Sequence, residues 1–184
     1  MLETVREDLR RKAELLGLPP TLGSYVRVCG SEGSLTQILV RATHYCHARG
    51  LRLPGLVLYR VTSLVGQAVV GRGAQLGPGL VIFHSNGITI NSQVRAGKNL
   101  TLQHEVTLGY ADGSPVLGDN VFVGAGAKVI GPVRIGNDVR IGANAVVTRD
   151  LPDGATAVGV PARVVRIYGK RVPGVAASRD HEPA

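Results

Sequence analysis

Few side chains in this sequence can carry proton-transfer or covalent chemistry at neutral pH, and their placement sorts them. There are five histidines and two cysteines. Cys29 and Cys46 have neither metal-ligand nor redox-motif spacing, so they read as buried small side chains in a reducing cytosol, with no chemistry assigned. His44 and His47 fall in a segment patterned as a helix and read as structural. His84 and His104 are different, because both stand in the most regular part of the chain, in HSNGITIN (84–91) and TLQHEVTLGY (101–110), with Glu105 directly after the second. Imidazole accepts and releases a proton near neutral pH, which suits general acid–base work. A catalytic zinc site built on histidine ligands needs three of them, and the regular stretch offers two.

The element that must position these residues is a repeat of six. An aliphatic residue recurs at Val70, Leu76, Ile82, Ile88, Val94, Leu100 and Val106, and again at Leu117, Val123, Val129, Ile135, Ile141 and Val147. Small or apolar residues stand two places earlier, as at Ala68, Ala74, Leu80, Val121, Ala127, Val133, Val139 and Ala145. A period of six fits neither a helix nor a two-sided strand; it fits a coiled ribbon of very short strands with a turn at every sixth residue. The expected fold is an all-β solenoid, a parallel β-helix of hexapeptide repeats with inward aliphatic ladders. The period does not fix its hand, since β-crossovers are normally right-handed. His84, two positions past Ile82, is expected to point outward. The first ladder is expected to run unbroken from Val70 to Val106, and the step of eleven to Leu117 places an excursion at Gly109 to Pro115. Loops that interrupt a solenoid often carry binding faces.

Four regions follow: a helical N-terminal region (1–66), the β-helix (67–150), a C-terminal wrap (151–170) and a tail (171–184) expected to be disordered. Glu3 to Leu16 reads as an amphipathic helix with Val5, Leu9, Ala13 and Leu16 on its inner side and Arg6, Arg10, Arg11 and Lys12 elsewhere. Ser34 is expected to cap a second helix to Arg49 that buries Leu35, Ile38, Leu39, Ala42 and Tyr45. A third follows Pro54 and Gly55. These helices are expected to cover the open end of the β-helix, whose terminal coil exposes an edge. No apolar run suggests a signal peptide or a membrane span, so a cytoplasmic protein is expected. The net charge of +8 gathers at the two ends of the chain, with nine basic and five acidic residues in 1–60 and eight basic and three acidic in 128–171. Aromatic residues are scarce and no nucleic-acid motif is present, so an anionic small ligand suits this charge better than nucleic acid.

Strict hexapeptides of this form resemble the left-handed β-helix acyltransferases, with three hexapeptides to a triangular coil. The segment from His84 through Gly109 resembles the serine O-acetyltransferase core, and VGAGAKVIG (123–131) and AVGVPARVV (157–165) are similar to that family's later coil and C-terminal wrap. The resemblance implies an acetyl-coenzyme A dependent O-acetyltransferase, a homotrimer with its sites between subunits and no metal. His84 would be the general base that takes the acceptor hydroxyl's proton and returns it to the leaving thiolate. Gly109, Ala125 and Ala127 would lie along the thioester arm, with Arg140 and Arg163 toward the phosphates.

Departures from the family pattern bear on the acceptor. The position for the Asp that orients the catalytic His is Val69, the Asp directly before the His is Phe83, and Gly113 and Ser114 stand where an Arg-His pair would precede Pro115. The short helical N-terminus, the LVLYR entry and His104 look instead like exopolysaccharide O-acetyltransferases of the colanic acid type. A sugar or similar neutral hydroxyl compound is therefore the expected acceptor, with L-serine as the alternative. His104 and Glu105 are expected to orient His84 or the acceptor in place of the missing Asp. A non-catalytic scaffold is the competing reading. A nucleotidyltransferase would need a Gly-rich domain before the repeats that residues 1–66 do not supply.

Overall fold

The computed structural model describes residues 1–173. Four helices come first: α1 (Leu2–Leu15), α2 (Leu22–Cys29), α3 (Ser34–Ala48) and α4 (Arg52–Val65). A three-sided parallel coil of mostly two-residue strands follows, from Val69–Val70 to Val146–Val147. The proposed tail at 171–184 lies largely outside the described residues.

Each face of the coil is a ladder of inward side chains. Val70, Ile90, Leu108, Val129 and Val147 stack on the first face. Leu76, Ala96, Leu117 and Ile135 stack on the second, and Ile82, Leu102, Val123, Ile141 and Ala157 on the third. This corrects the unbroken ladder expected from the sequence. Val70 pairs with Ile90, twenty residues on, whereas Ile90 pairs with Leu108 eighteen residues on. Two residues are therefore added between Ile82 and Ile90, at Phe83 to Gly87, and the strand-centred ladder moves from Ile88, Val94, Leu100 and Val106 to Ile90, Ala96, Leu102 and Leu108. The displaced aliphatics stay buried because they now fill the positions two before each strand centre. A second excursion follows at Gly109 to Pro115, since Leu108 pairs with Val129 twenty-one residues on. At the far end Ala155–Val158 continues the third face in parallel, and Arg163–Ile167 folds back on it antiparallel.

The first coil has no coil before it, so its outward backbone groups need other partners. The helices supply them through polar side chains. Asp8 Oδ1 accepts from the Leu80 amide at 2.9 Å, and Gln37 Oε1 accepts from the Ile82 amide at 3.1 Å. Arg41 donates to the Leu76 and Gly77 carbonyls, each at 2.6 Å, and grips Asp8 with two further bonds of 2.7 and 2.9 Å. Lys12 Nζ donates to the Ile82 carbonyl at 2.9 Å, and His44 Nε2 reaches the Gly71 carbonyl at 3.2 Å.

The helix faces consequently differ from the apolar pattern. α1 buries Asp8, Lys12 and Ala13, and α3 buries Ser34, Thr36, Gln37, Val40, Arg41 and Thr43 while Leu35 and Tyr45 remain exposed. Ser34 is inside α3, and Gly33 occupies the cap position with φ +77°. α2 carries no expectation from the sequence. Its start is capped by Thr21, whose Oγ1 accepts from the Ser24 amide at 3.3 Å. Cys46 is buried as expected, whereas Cys29 is exposed.

Burial pushes the His44 imidazole down to about 4, against a raising contribution from its bond to Gly71, so it stays neutral in the fold. Between pH 6.5 and 4 the unfolded chain binds a proton that the folded chain refuses, so stability falls as pH falls through this window, by up to about 3 kcal/mol. Denaturant unfolding across this window is expected to show that loss in the wild type and less of it in His44→Gln; identical slopes would place its source elsewhere.

Candidate active site

The two added residues enlarge the corner between the third and first faces, and this corner carries His84. Its side chain is half exposed, as the outward expectation requires. In the following coil, twenty residues on, His104 sits edge-on to it with ring centroids 5.9 Å apart and planes 75° apart. Glu32, Asn86 and Glu105 complete the lining of a pocket of about 300 Å³ around the two rings. The pocket thus has two imidazoles and two carboxylates.

His84 Nδ1 lies 2.5 Å from Glu32 Oε2. This bond occupies Nδ1 and leaves Nε2 as the ring nitrogen available for proton transfer. Glu32 belongs to the short Ser-Glu-Gly-Ser turn between α2 and α3, and the turn is pinned to the strand that leads into His84. Lys12 Nζ bonds the Glu32 carbonyl at 2.5 Å and Ser34 Oγ at 2.9 Å, in addition to Ile82. Burial pushes the Lys12 ammonium down to about 8, with the Glu32 charge pulling the other way. Gly33 lies against the Ile82 and Phe83 carbonyls so closely that a Cβ there would overlap the Ile82 oxygen.

Glu105 turns the next corner at φ +57°, a left-handed conformation. The equivalent corner in other coils is made by Gln67, Gly87, Gly126 and Asn144, all with positive φ. A glutamate gains nothing from that backbone, and such positions cost of order 1–3 kcal/mol. The Glu105 amide donates to Asn86 O at 2.8 Å and its carbonyl accepts from Lys128 Nζ at 3.1 Å. The backbone bonds hold the corner and leave the Glu105 carboxylate at the pocket wall.

His84, His104 and Glu105 are therefore brought together, although the group on His84 Nδ1 is Glu32. The donor candidates lie elsewhere within one chain, and none lines this pocket. Gly109 ends the strand Thr107–Gly109, where its carbonyl accepts from Gly131 at 3.2 Å. Ala125 is half-buried at a corner. Ala127 is fully buried in the ladder, with its amide donating to the Gly124 carbonyl and its own carbonyl accepting from the Thr107 amide. Arg140 and Arg163 are exposed on the third face, two strands apart, the first with its guanidinium 4.8 Å from the Phe122 ring centroid. Val69, at the position of the absent Asp, lies on the first face and is partly exposed.

Comparison with known proteins fits this geometry. Residues 114–149 match the family described as bacterial transferase hexapeptide (six repeats). A serine acetyltransferase of Helicobacter pylori (strain J99) is 41% identical over 130 residues, covering 68% of this chain and 76% of that protein. That of Mycobacterium tuberculosis is 39% identical over 130 residues, again 68% of this chain but 57% of the relative. Among solved structures, the serine acetyltransferase of Neisseria gonorrhoeae superposes with a TM-score of 0.80 at 31% identity, over 93% of this chain and 68% of that one. A serine acetyltransferase in complex with CoA superposes at 0.78 with 28% identity, over 89% and 68%. The fold is thus a left-handed β-helix with a helical N-terminal region.

Gly33→Ala is expected to destabilise the protein by about 1–3 kcal/mol in denaturant unfolding, because it adds both a strained φ and an overlap with Ile82. Wild-type stability in this variant would mean that the turn can leave Ile82 at no cost.

Proposed function

This chain belongs to the serine acetyltransferase family of hexapeptide-repeat transferases, and on that footing we propose that it transfers acetyl from acetyl-coenzyme A to the hydroxyl of serine. The observation that carries the reading is the pair of carboxylates, Glu32 and Glu105, around His84 in one small pocket. Residue by residue the sequence lacks the family's acidic positions at 69 and 83, which favours a neutral sugar. In space the acidic character returns from other segments. Relatives named as serine acetyltransferases support the same acceptor, and the nearness to colanic acid type enzymes finds no support among them.

In the proposed reaction His84 Nε2 takes the proton of the serine hydroxyl as its oxygen attacks the thioester carbonyl. Collapse of the tetrahedral intermediate breaks the carbon–sulfur bond, and the imidazolium returns the proton to the thiolate. General base catalysis of this kind contributes about 10²- to 10⁴-fold. Glu105, in the lining of the pocket, is the proposed partner of the serine ammonium, an ion pair of opposite charges. His104 forms the opposite wall and limits the acceptor's size. Gly109, Ala125, Ala127, Arg140 and Arg163 stay as donor-side candidates. They lie away from the pocket of their own chain, which supports a homotrimer in which a neighbouring chain completes the site. Among the described residues no helix is long and apolar enough to cross a membrane.

Thiol release from acetyl-coenzyme A is the direct test. L-serine is expected to drive release, sugars and nucleotide sugars are not, and His84→Ala is expected to lose about 10²- to 10⁴-fold in kcat. Release with a sugar and none with serine would return the acceptor to a saccharide. A melting temperature that does not move with acetyl-coenzyme A, where binding at a hundredfold over Kd adds about 2.7 kcal/mol, would favour the scaffold. Glu105→Gln is expected to raise KM for serine about tenfold, the equivalent of roughly 1.4 kcal/mol, with KM for the donor unchanged; an unchanged KM for serine would remove Glu105 from acceptor binding.

A further inference from the structure

The family's orienting carboxylate is absent at Val69, yet His84 is not without a carboxylate. We propose that Glu32, projecting from the helical cap, is the positioning residue for His84, and that Lys12 and Gly33 hold its turn in place. The assignment deepens the reading of His84 as the base and rests on it for its catalytic consequence.

Three observations converge on this turn. First, the contact is direct, with Glu32 Oε2 2.5 Å from His84 Nδ1. A carboxylate there accepts the Nδ1 hydrogen, fixes the tautomer with the lone pair on Nε2, and stabilises the imidazolium that forms during transfer. Second, the backbone beneath Glu32 is fixed independently of that contact. Lys12 is almost wholly buried, and its three bonds run to Glu32 O, Ser34 Oγ and Ile82 O, tying the turn to the strand two residues before His84. Third, Gly33 is in the left-handed region and in contact with the Ile82 and Phe83 carbonyls, an approach that no side chain permits. Base and carboxylate thus come from segments 52 residues apart but hang from the same carbonyl, that of Ile82. A small shift of α1 or α3 against the coil would carry Glu32 with it, so the docked helices set the alignment of the base.

Glu32 is largely exposed, so its replacement leaves the packing intact. The experiment pairs kinetics with ¹⁵N NMR of histidine-labelled protein at pH 8. In the wild type His84 is expected to be the Nδ1–H tautomer, and Glu32→Ala is expected to shift it toward a mixture. In serine-dependent thiol release the same variant is expected to lose at least about tenfold in kcat, within the ~10²- to 10⁴-fold that a general base supplies, with KM for serine little changed. Glu32→Gln, which can still accept the Nδ1 hydrogen, is expected to keep the tautomer and lose part of the rate. A large rise in KM at unchanged kcat would overturn the assignment and make Glu32 an acceptor-binding group. An unchanged His84 tautomer in Glu32→Ala would overturn it as well. If the wild type turns over no acceptor, the reading of the function fails, and the tautomer alone still decides whether Glu32 positions His84.

Discussion

A parallel β-helix has two ends, and at each the ladder of backbone groups stops without a partner. At the N-terminal end of this coil the amides of Leu80 and Ile82 and the carbonyls of Gly71, Leu76, Gly77 and Ile82 each meet a side chain from α1 or α3. Buried backbone groups left unpaired would each cost on the order of 1–3 kcal/mol. An apolar helix face could not have met this demand. The cap therefore buries Asp8, Lys12, Gln37 and Arg41 and leaves Leu35 and Tyr45 outside. Burying Asp8 and Arg41 is itself costly, and only their mutual bonds and the backbone groups around them offset the desolvation.

That arrangement has a consequence for the site. The same Ile82 whose carbonyl needs a donor begins the segment that carries His84, and the same Lys12 that supplies the donor fastens Glu32. Capping the coil and aligning the imidazole are therefore one structural event. The corner beyond Ile82 is also where two residues are added to the coil, which gives the ring room to stand away from the ladder. Glu105, one coil on, occupies a left-handed corner that Gly or Asn would fill at lower cost, as does Gln67 at the equivalent corner of the first coil.

The sequence made the solenoid legible because six-residue periodicity survives almost any substitution of one aliphatic residue for another. The same tolerance hid the enlarged corner. Ile88, Val94, Leu100 and Val106 continue the count of six by eye, yet the strand centres have moved two residues to Ile90, Ala96, Leu102 and Leu108, and all of these but the half-buried Ala96 are buried. Three of the four helices were legible as helices but not by their inner faces, since an apolar stripe is informative only when the surface opposite is apolar; α2 left no such signal. Glu32 was beyond reach for a different reason. It stands in a Ser-Glu-Gly-Ser linker with no periodic neighbour, and only the docking of α3 on the first coil brings it to His84.

The same reasoning bears on the acceptor. Matching positions one at a time removes the acidic residues at Val69 and Phe83 and leaves a site that looks neutral. Electrostatics depends on where charges sit, not on which strand supplies them, and a carboxylate from a turn of the cap acts on the imidazole as one from the coil would. With Glu32 on Nδ1 and Glu105 in the lining of the same pocket, the site has an acidic character that the strand positions alone do not show.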